Sequence, residues 1–147
     1  MPVGVIGYGT VGRATAHLFK DVVIYDPPQG YEDASALGGC SIIFLSVPTP
    51  SALDGRCDLG AVYQALGVIA PQLFDSQVVA VRSTVPPGTV RQLQATFPNT
   101  RFASNPEFMR AHKAEEDSVR PWRVVIGGDS AFVREAVRRY GRYTTSA

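Results

Sequence analysis

The chain has 147 residues, enough for one domain with a sizeable core, and at 45% hydrophobic and 18% charged it reads as globular rather than disordered. Its 14 basic and 13 acidic residues leave a formal net charge of +1, so there is no field of one sign to draw in nucleic acid. Two cysteines, Cys40 and Cys57, cannot build a disulfide framework or a zinc site, and neither a secretory leader nor an apolar run of roughly 20 residues is present, so a cytoplasmic, metal-free chain without a membrane partner is expected.

From the N-terminus, Val3–Ile6 is an apolar, β-branched run, and residues 10–19 take up helical period directly after a glycine-rich turn. The second run, Val22–Tyr25, leads into Pro27-Pro28 and Gly30. Only about fifteen residues then precede the run 41–47, where a complete Rossmann half would fit a helix, an edge strand and another crossover. There is room for one short helix near residues 33–37, so the outer third strand is expected to be missing. Residues 58–73 place Val62, Leu66, Ile69 and Leu73 on one helical stripe, with Asp58 as N-cap. After the run 77–83 comes a helix over 88–97 carrying Val90, Leu93 and Phe97, and then the runs 101–103 and 123–126. A last helix over 130–142 is expected to bury Phe132, Val133, Ala136, Val137 and Tyr140, with Arg134, Arg138, Arg139 and Arg142 facing water. The polar tail 144–147 is expected to fray. Runs apolar on both faces, alternating with helices, indicate an α/β, doubly wound, mainly parallel sheet of Rossmann type. In the numbering of a complete Rossmann sheet its order is 2-1-4-5-6, within a single domain over residues 1–147.

The segment Gly7-Tyr8-Gly9-Thr10-Val11-Gly12 matches G-x-G-x-x-G between an apolar strand and a helix. Gly7 permits the tight turn, Gly9 lets the backbone approach a diphosphate, and Gly12 lets helix and strand pack closely. The helix start then offers free amides and the positive end of its dipole to the phosphates. Asp26, at the end of the second strand, stands where a carboxylate accepts from the adenosine ribose hydroxyls. It would repel a 2′-phosphate, and Pro27-Pro28-Gln29-Gly30 brings no arginine to receive one, so NAD is favoured over NADP. Taken alone, Asp26 could equally cap a loop. Two proline- and hydroxyl-rich segments, 46–50 and 83–89, leave the C-terminal ends of central strands, where open α/β sheets bind ligands. Val47, Pro48, Thr49, Ser83 and Thr84 are therefore candidate cofactor contacts, although ordinary turn chemistry accounts for such residues too.

Taken in order, the glycine turn, Val-Pro-Thr-Pro at 47–50, Asp-Gly-Arg-Cys-Asp at 54–58, Ser-Thr-Val-Pro at 83–86, Asn-Pro-Glu-Phe at 105–108 and Val-Val-Ile-Gly-Gly at 124–128 resemble the UDP-glucose/GDP-mannose dehydrogenase family. The resemblance spans nearly the whole chain and is nearest to compact UDP-glucose 6-dehydrogenases. It implies oxidation of a sugar C6 alcohol to the carboxylate, as in UDP-glucose to UDP-glucuronate, with two NAD reduced. In that family a cysteine captures the aldehyde-level intermediate and becomes a thioester that water hydrolyses. Glu107 matches the glutamate that positions or activates the water, and Thr84 the threonine that shares it. The segment Glu107, Phe108, Met109 and Arg110 matches one that contacts the nucleotide sugar.

The resemblance also implies residues that this sequence does not contain. The family's catalytic cysteine, lysine and asparagine belong to its second half, as do the central dimer-forming helix and the UDP-gripping domain. Cys40 and Cys57 match no nucleophile position, so the chain is expected to bind NAD but to be inactive without a complementing C-terminal half. The alternative is a stand-alone module that binds NAD or a partner. Self-association through the face that normally meets the second half is also expected. Within the matched region, Ala111 and His112 replace a usual glutamate and glycine, and His112 reads as a solvated loop residue. Arg82 reads as a solvated strand end. Arg120-Pro121-Trp122-Arg123 either touches substrate phosphate or packs Trp122 over the loop.

Overall fold

The computed structural model describes residues 1–128 and 130–140, with the backbone alone at 132 and 138–140. Five strands, β1 (Val3–Ile6), β2 (Val22–Tyr25), β3 (Ile42–Leu45), β4 (Val78–Val81) and β5 (Arg101–Ser104), form one parallel sheet. The order is β2-β1-β3-β4-β5. With the absent third strand left in the count, this is the 2-1-4-5-6 arrangement anticipated from the sequence. The order in which strands are added reverses between β1 and β3, and the ends of these two parallel strands open the crevice where such sheets bind ligands.

The central strands β1, β3 and β4 are apolar on both sides because helices cover both sides. One face carries Ile6, Ile43, Leu45, Val79, Val81 and Phe102 against α2 (Gly60–Ile69) and α3 (Thr89–Thr96). Val62, Leu66 and Ile69 of α2 are fully buried there, each contributing about 1.5–3 kcal/mol by leaving water. The opposite face carries Val3, Ile42, Phe44, Val78, Ala80 and Ala103 against α5 (Ala131–Tyr140), whose Val133 and Val137 are buried. Phe19, just beyond α1 (Thr10–Ala16), stacks on Phe44 on that same face.

The short link after β2 holds two 3₁₀ segments, Pro27–Gln29 and Ala34–Gly39. Asp33 caps the second by accepting the Ser35 N–H at 3.0 Å, and Leu37 plugs the core beneath the space an edge strand would occupy. Gln77 secures this patch from the far side. Its buried amide donates to the Leu37 and Cys40 carbonyls and accepts the Phe74 N–H.

Several elements differ from the sequence expectation. Helix α1 stops at Ala16 rather than Phe19, with Leu18 and Phe19 continuing in i→i+3 bonds. Helix α2 begins at Gly60, where Asp58 accepts the Gly60 N–H at 2.8 Å, and ends before Pro71 tightens the next turn to 3₁₀. The apolar run 123–126 is no strand. Among the described residues the segment meets the sheet through one antiparallel bridge, from Gly127 just after the run to Ser104, while the side chain of Asn105 donates to the Val125 carbonyl. A short helix not anticipated from the sequence, α4 (Ala114–Val119), packs against α1 with Ala114 and Ser118 buried. Six residues rich in acid carry too little apolar pattern to announce a helix. The expectations for the side chains of Phe132, Arg138, Arg139 and Tyr140, for Arg142 and for the tail 144–147 lie outside the described residues. No described helix is long and apolar enough to cross a membrane.

Candidate cofactor site

The turn from β1 into α1 is built around two glycines for which any side chain would be too large. Gly7 has φ +84°, and a Cβ there would sit 2.6 Å from the Ser46 carbonyl oxygen. A Cβ on Gly12 would run into the Gly7 carbonyl oxygen. The strand–helix corner is therefore as tight as the glycine spacing suggested. Gly9 differs: a Cβ there would meet no protein atom within 4 Å, so this position faces open space. No side chain caps the start of α1, leaving its first amides unspent by any cap.

Asp26 closes this corner from β2. Its Oδ2 accepts the Tyr8 N–H at 2.6 Å and the Gln29 side-chain amide at 2.8 Å. The backbone of Asp26 pairs antiparallel with Tyr31, so the loop folds back beneath the carboxylate. Asp26 thus holds the loop and also lines the cleft beside it.

Between this corner and α2 lies a cleft of about 430 Å³, lined by Gly7, Gly9, Asp26, Gln29, Val47, Pro48 and the α2 residues Ala61, Gln64, Ala65 and Val68 among others. A volume of this kind suits a nucleoside. Its walls are mainly apolar, with Asp26 at the lip. Ser46 Oγ, also in the wall, is buried and finds no hydrogen-bond partner among the described residues. A buried hydroxyl without a partner beside an open apolar slot suits a ligand that brings its own polar atoms.

The remaining candidate contacts hold neighbouring loops together. Thr49 Oγ1 donates to the Thr84 carbonyl at 2.6 Å, and Ser83 Oγ donates to the Val47 carbonyl at 2.8 Å. Thr84 itself is exposed. The Cys57 thiol lies 3.9 Å from both the Thr49 and Thr84 carbonyls, joining the 54–58 turn to the same cluster. Sequence reading gave Cys57 no position near these loops, since only folding brings 57 beside 84. Cys40 is buried under β3, and burial, aided by Asp21, raises its thiol to about 11.

Glu107, Phe108 and Met109 line a second, narrower depression of about 40 Å³ on the α1 side of the sheet. Glu107 Oε2 accepts the Met109 N–H at 2.7 Å. Arg110 is fully engaged with Asp117 of α4: its N–H and Nε reach Oδ2 at 2.8 and 2.9 Å, and Nη2 reaches Oδ1 at 2.7 Å. Two backbone amides of the segment 107–110 are thus satisfied internally. Phe108 meets the edge of Trp122, and the Arg123 guanidinium lies over both rings, 3.7 Å from that of Trp122.

Arg82 overturns the expectation of a solvated strand end. It follows β4 on the Phe44 side, and Nη1 donates to Asn105 Oδ1 at 2.8 Å while Nε has no partner among the described residues. Burial pushes its guanidinium down to about 10, opposed by the negative charge of Glu107. It remains charged at neutral pH and pins the Asn-Pro-Glu-Phe loop through Asn105. The period-2 register with Val78 and Ala80 was a signal that this side chain points inward. His112 is exposed in a 3₁₀ turn, as expected.

Comparisons with known proteins bear on the family and the fold. Residues 30–142 match the UDP-glucose/GDP-mannose dehydrogenase family, NAD binding domain. The matched stretch begins after Asp26, so the glycine turn and that carboxylate are read from their own geometry. A UDP-glucose 6-dehydrogenase of Rhizobium meliloti (strain 1021) is 40% identical over 104 residues, covering 66% of this chain and 24% of that protein. The chain spans about a quarter of the length of the curated relatives it matches. Among solved structures, a UDP-glucose dehydrogenase from the archaeon Pyrobaculum islandicum superposes with a TM-score of 0.78 at 26% identity, covering 98% of this chain and 44% of that one. A UDP-D-ManNAc dehydrogenase from Pyrococcus horikoshii, at 21% identity, shares the fold with a TM-score of 0.88 over 100% of this chain and 46% of that one. With a five-stranded Rossmann sheet, a glycine corner facing a strand-end carboxylate, and sequence kinship over most of its length, the chain belongs to the UDP-glucose/GDP-mannose dehydrogenase family, as its NAD-binding domain.

Proposed function

We propose that this chain is the NAD-binding part of a nucleotide-sugar 6-dehydrogenase, acting on UDP-glucose to give UDP-glucuronate only together with a C-terminal half. The observation that carries the reading is the cleft at the β1–β3 switch point. It joins the glycine corner, Asp26 and the Val47-Pro48 loop in one lining. The likeness to a UDP-glucose 6-dehydrogenase supports that sugar nucleotide over others.

When bound, NAD supplies a hydride acceptor. The protein's part is to hold and orient. Asp26 would accept from the ribose hydroxyls, the α1 amides beside Gly9 would meet the diphosphate, and Val47 and Pro48 would form the wall beyond it, with Thr49, Ser83 and Thr84 on the loops bonded beside them. Glu107 is the general base toward water, with the Thr84 hydroxyl orienting the same water. The backbone of residues 107–110 meets the sugar nucleotide once the Met109 and Arg110 amides exchange their internal partners for it. Neither described thiol suits the family's covalent step, since Cys40 is sealed in the core and Cys57 lies in the 54–58 turn against the Thr49 and Thr84 carbonyls, at no position that matches the family's nucleophile.

The test is complementation. Mixed with a matched C-terminal half carrying the cysteine, the chain is expected to form UDP-glucuronate and NADH, and alone it is expected to form neither. Failure with a matched half, while NAD still binds, would favour a stand-alone NAD-binding module.

A further inference from the structure

Gln29 sits where the glycine turn, Asp26 and α1 meet, and it uses every polar atom of its amide. Nε2 donates to the Tyr8 carbonyl and to Asp26 Oδ2, both at 2.8 Å, while Oε1 accepts from Arg13 Nη2 at 2.7 Å. The Arg13 guanidinium also stacks over the Tyr8 ring, 4.5 Å from its centre, and Tyr8 in turn meets the edge of Tyr31. Asp26 Oδ2 therefore carries two donors, and Oδ1 has none among the described residues.

This arrangement sets opposed determinants one side chain apart. A carboxylate at a strand end accepts a ribose diol and repels a 2′-phosphate. A guanidinium at the same place pairs with that phosphate. Arg13 comes from the helix after the glycine turn, not from the loop after Asp26 where such an arginine is usually sought. The amide of Gln29 separates the two charges and neutralises neither.

We propose that Gln29 is the cofactor-specificity residue of this cleft: by tethering Arg13 away from Asp26 it keeps Oδ1 open to the ribose diol and keeps NAD preferred over NADP. The proposal rests on the reading of the cleft as an NAD site. Without Gln29, Arg13 closes on Asp26, covers the ribose acceptor and offers its remaining N–H groups to a 2′-phosphate. NAD binding weakens as NADP binding gains.

Calorimetric titration of the chain with NAD and with NADP tests this in the unchanged protein, Gln29→Ala, Arg13→Ala and the double variant. Both side chains are exposed, so neither truncation opens the core. Gln29→Ala is expected to reduce the preference for NAD by about tenfold, the weight of one charge-assisted hydrogen bond. Arg13→Ala is expected to keep the original preference, and the double variant to recover it, because no cation then remains to reach Asp26. An unaltered preference in Gln29→Ala overturns the proposal, as does a double variant as relaxed as the single one. If the unchanged protein binds neither dinucleotide, the NAD reading of the cleft falls first and the role of Gln29 falls with it.

Discussion

Asp26 gives Oδ2 to the protein and leaves Oδ1 without a partner among the described residues. Asp26→Ala is expected to weaken NAD by about 2 kcal/mol, roughly thirtyfold in Kd, through the loss of charge-assisted hydrogen bonds to ribose. Calorimetry checks this, and unchanged affinity would place the adenosine elsewhere. The two thiols make a second residue-scale contrast. Cys40 is buried with its thiol raised to about 11, whereas Cys57 is only half-buried. At pH 8 a thiol reagent is expected to label Cys57 on the folded chain and Cys40 only after unfolding, read by mass spectrometry of digested protein. Labelling of Cys40 at the same rate would mean that β3 is not sealed.

Helix α4 illustrates how a short element is fixed by one partner. At six residues it is too short to persist by propensity, and it depends on Ala114 and Ser118 packing on α1 and on Asp117 gripping Arg110. The hydrogen-bonded Arg110 guanidinium, then its backbone N–H, holds the Asp117 carboxyl far below its ordinary value of 3.8. A carboxyl lowered on folding stabilises the fold above its unfolded pKa, and that support is lost as pH falls below about 3.8. Asp117→Asn is therefore expected to lower stability at neutral pH and to flatten the acid limb below pH 4 in denaturant titrations. An acid limb identical to that of the unchanged protein would show the pair to be dispensable. The same grip occupies the Arg110 amide, so the variant also loosens the 107–110 segment proposed to meet substrate.

At the scale of the whole molecule, the near-neutral charge does little to keep copies apart, and Phe108 and Trp122 stand 39% and 69% exposed beside each other. The chain is expected to self-associate as concentration rises, and Trp122→Ser to reduce this in light scattering; a clean monomer at high concentration in the unchanged chain would contradict it. The sequence by itself determined the sheet, its missing third strand, the glycine corner and the strand-end acid. These are local signals: apolar runs, a glycine spacing and a link too short for another strand. It could not show that Arg82 turns inward to bond Asn105, that run 123–126 stays out of the sheet, or that Gln29 stands between Arg13 and Asp26. Each of those depends on side chains meeting across 16 or more positions of chain, as between Arg13 and Gln29 or between Asn105 and Val125. Such meetings are decided by packing of the whole core, because the same arginine or glutamine would be an ordinary surface residue wherever the fold brought no partner to it.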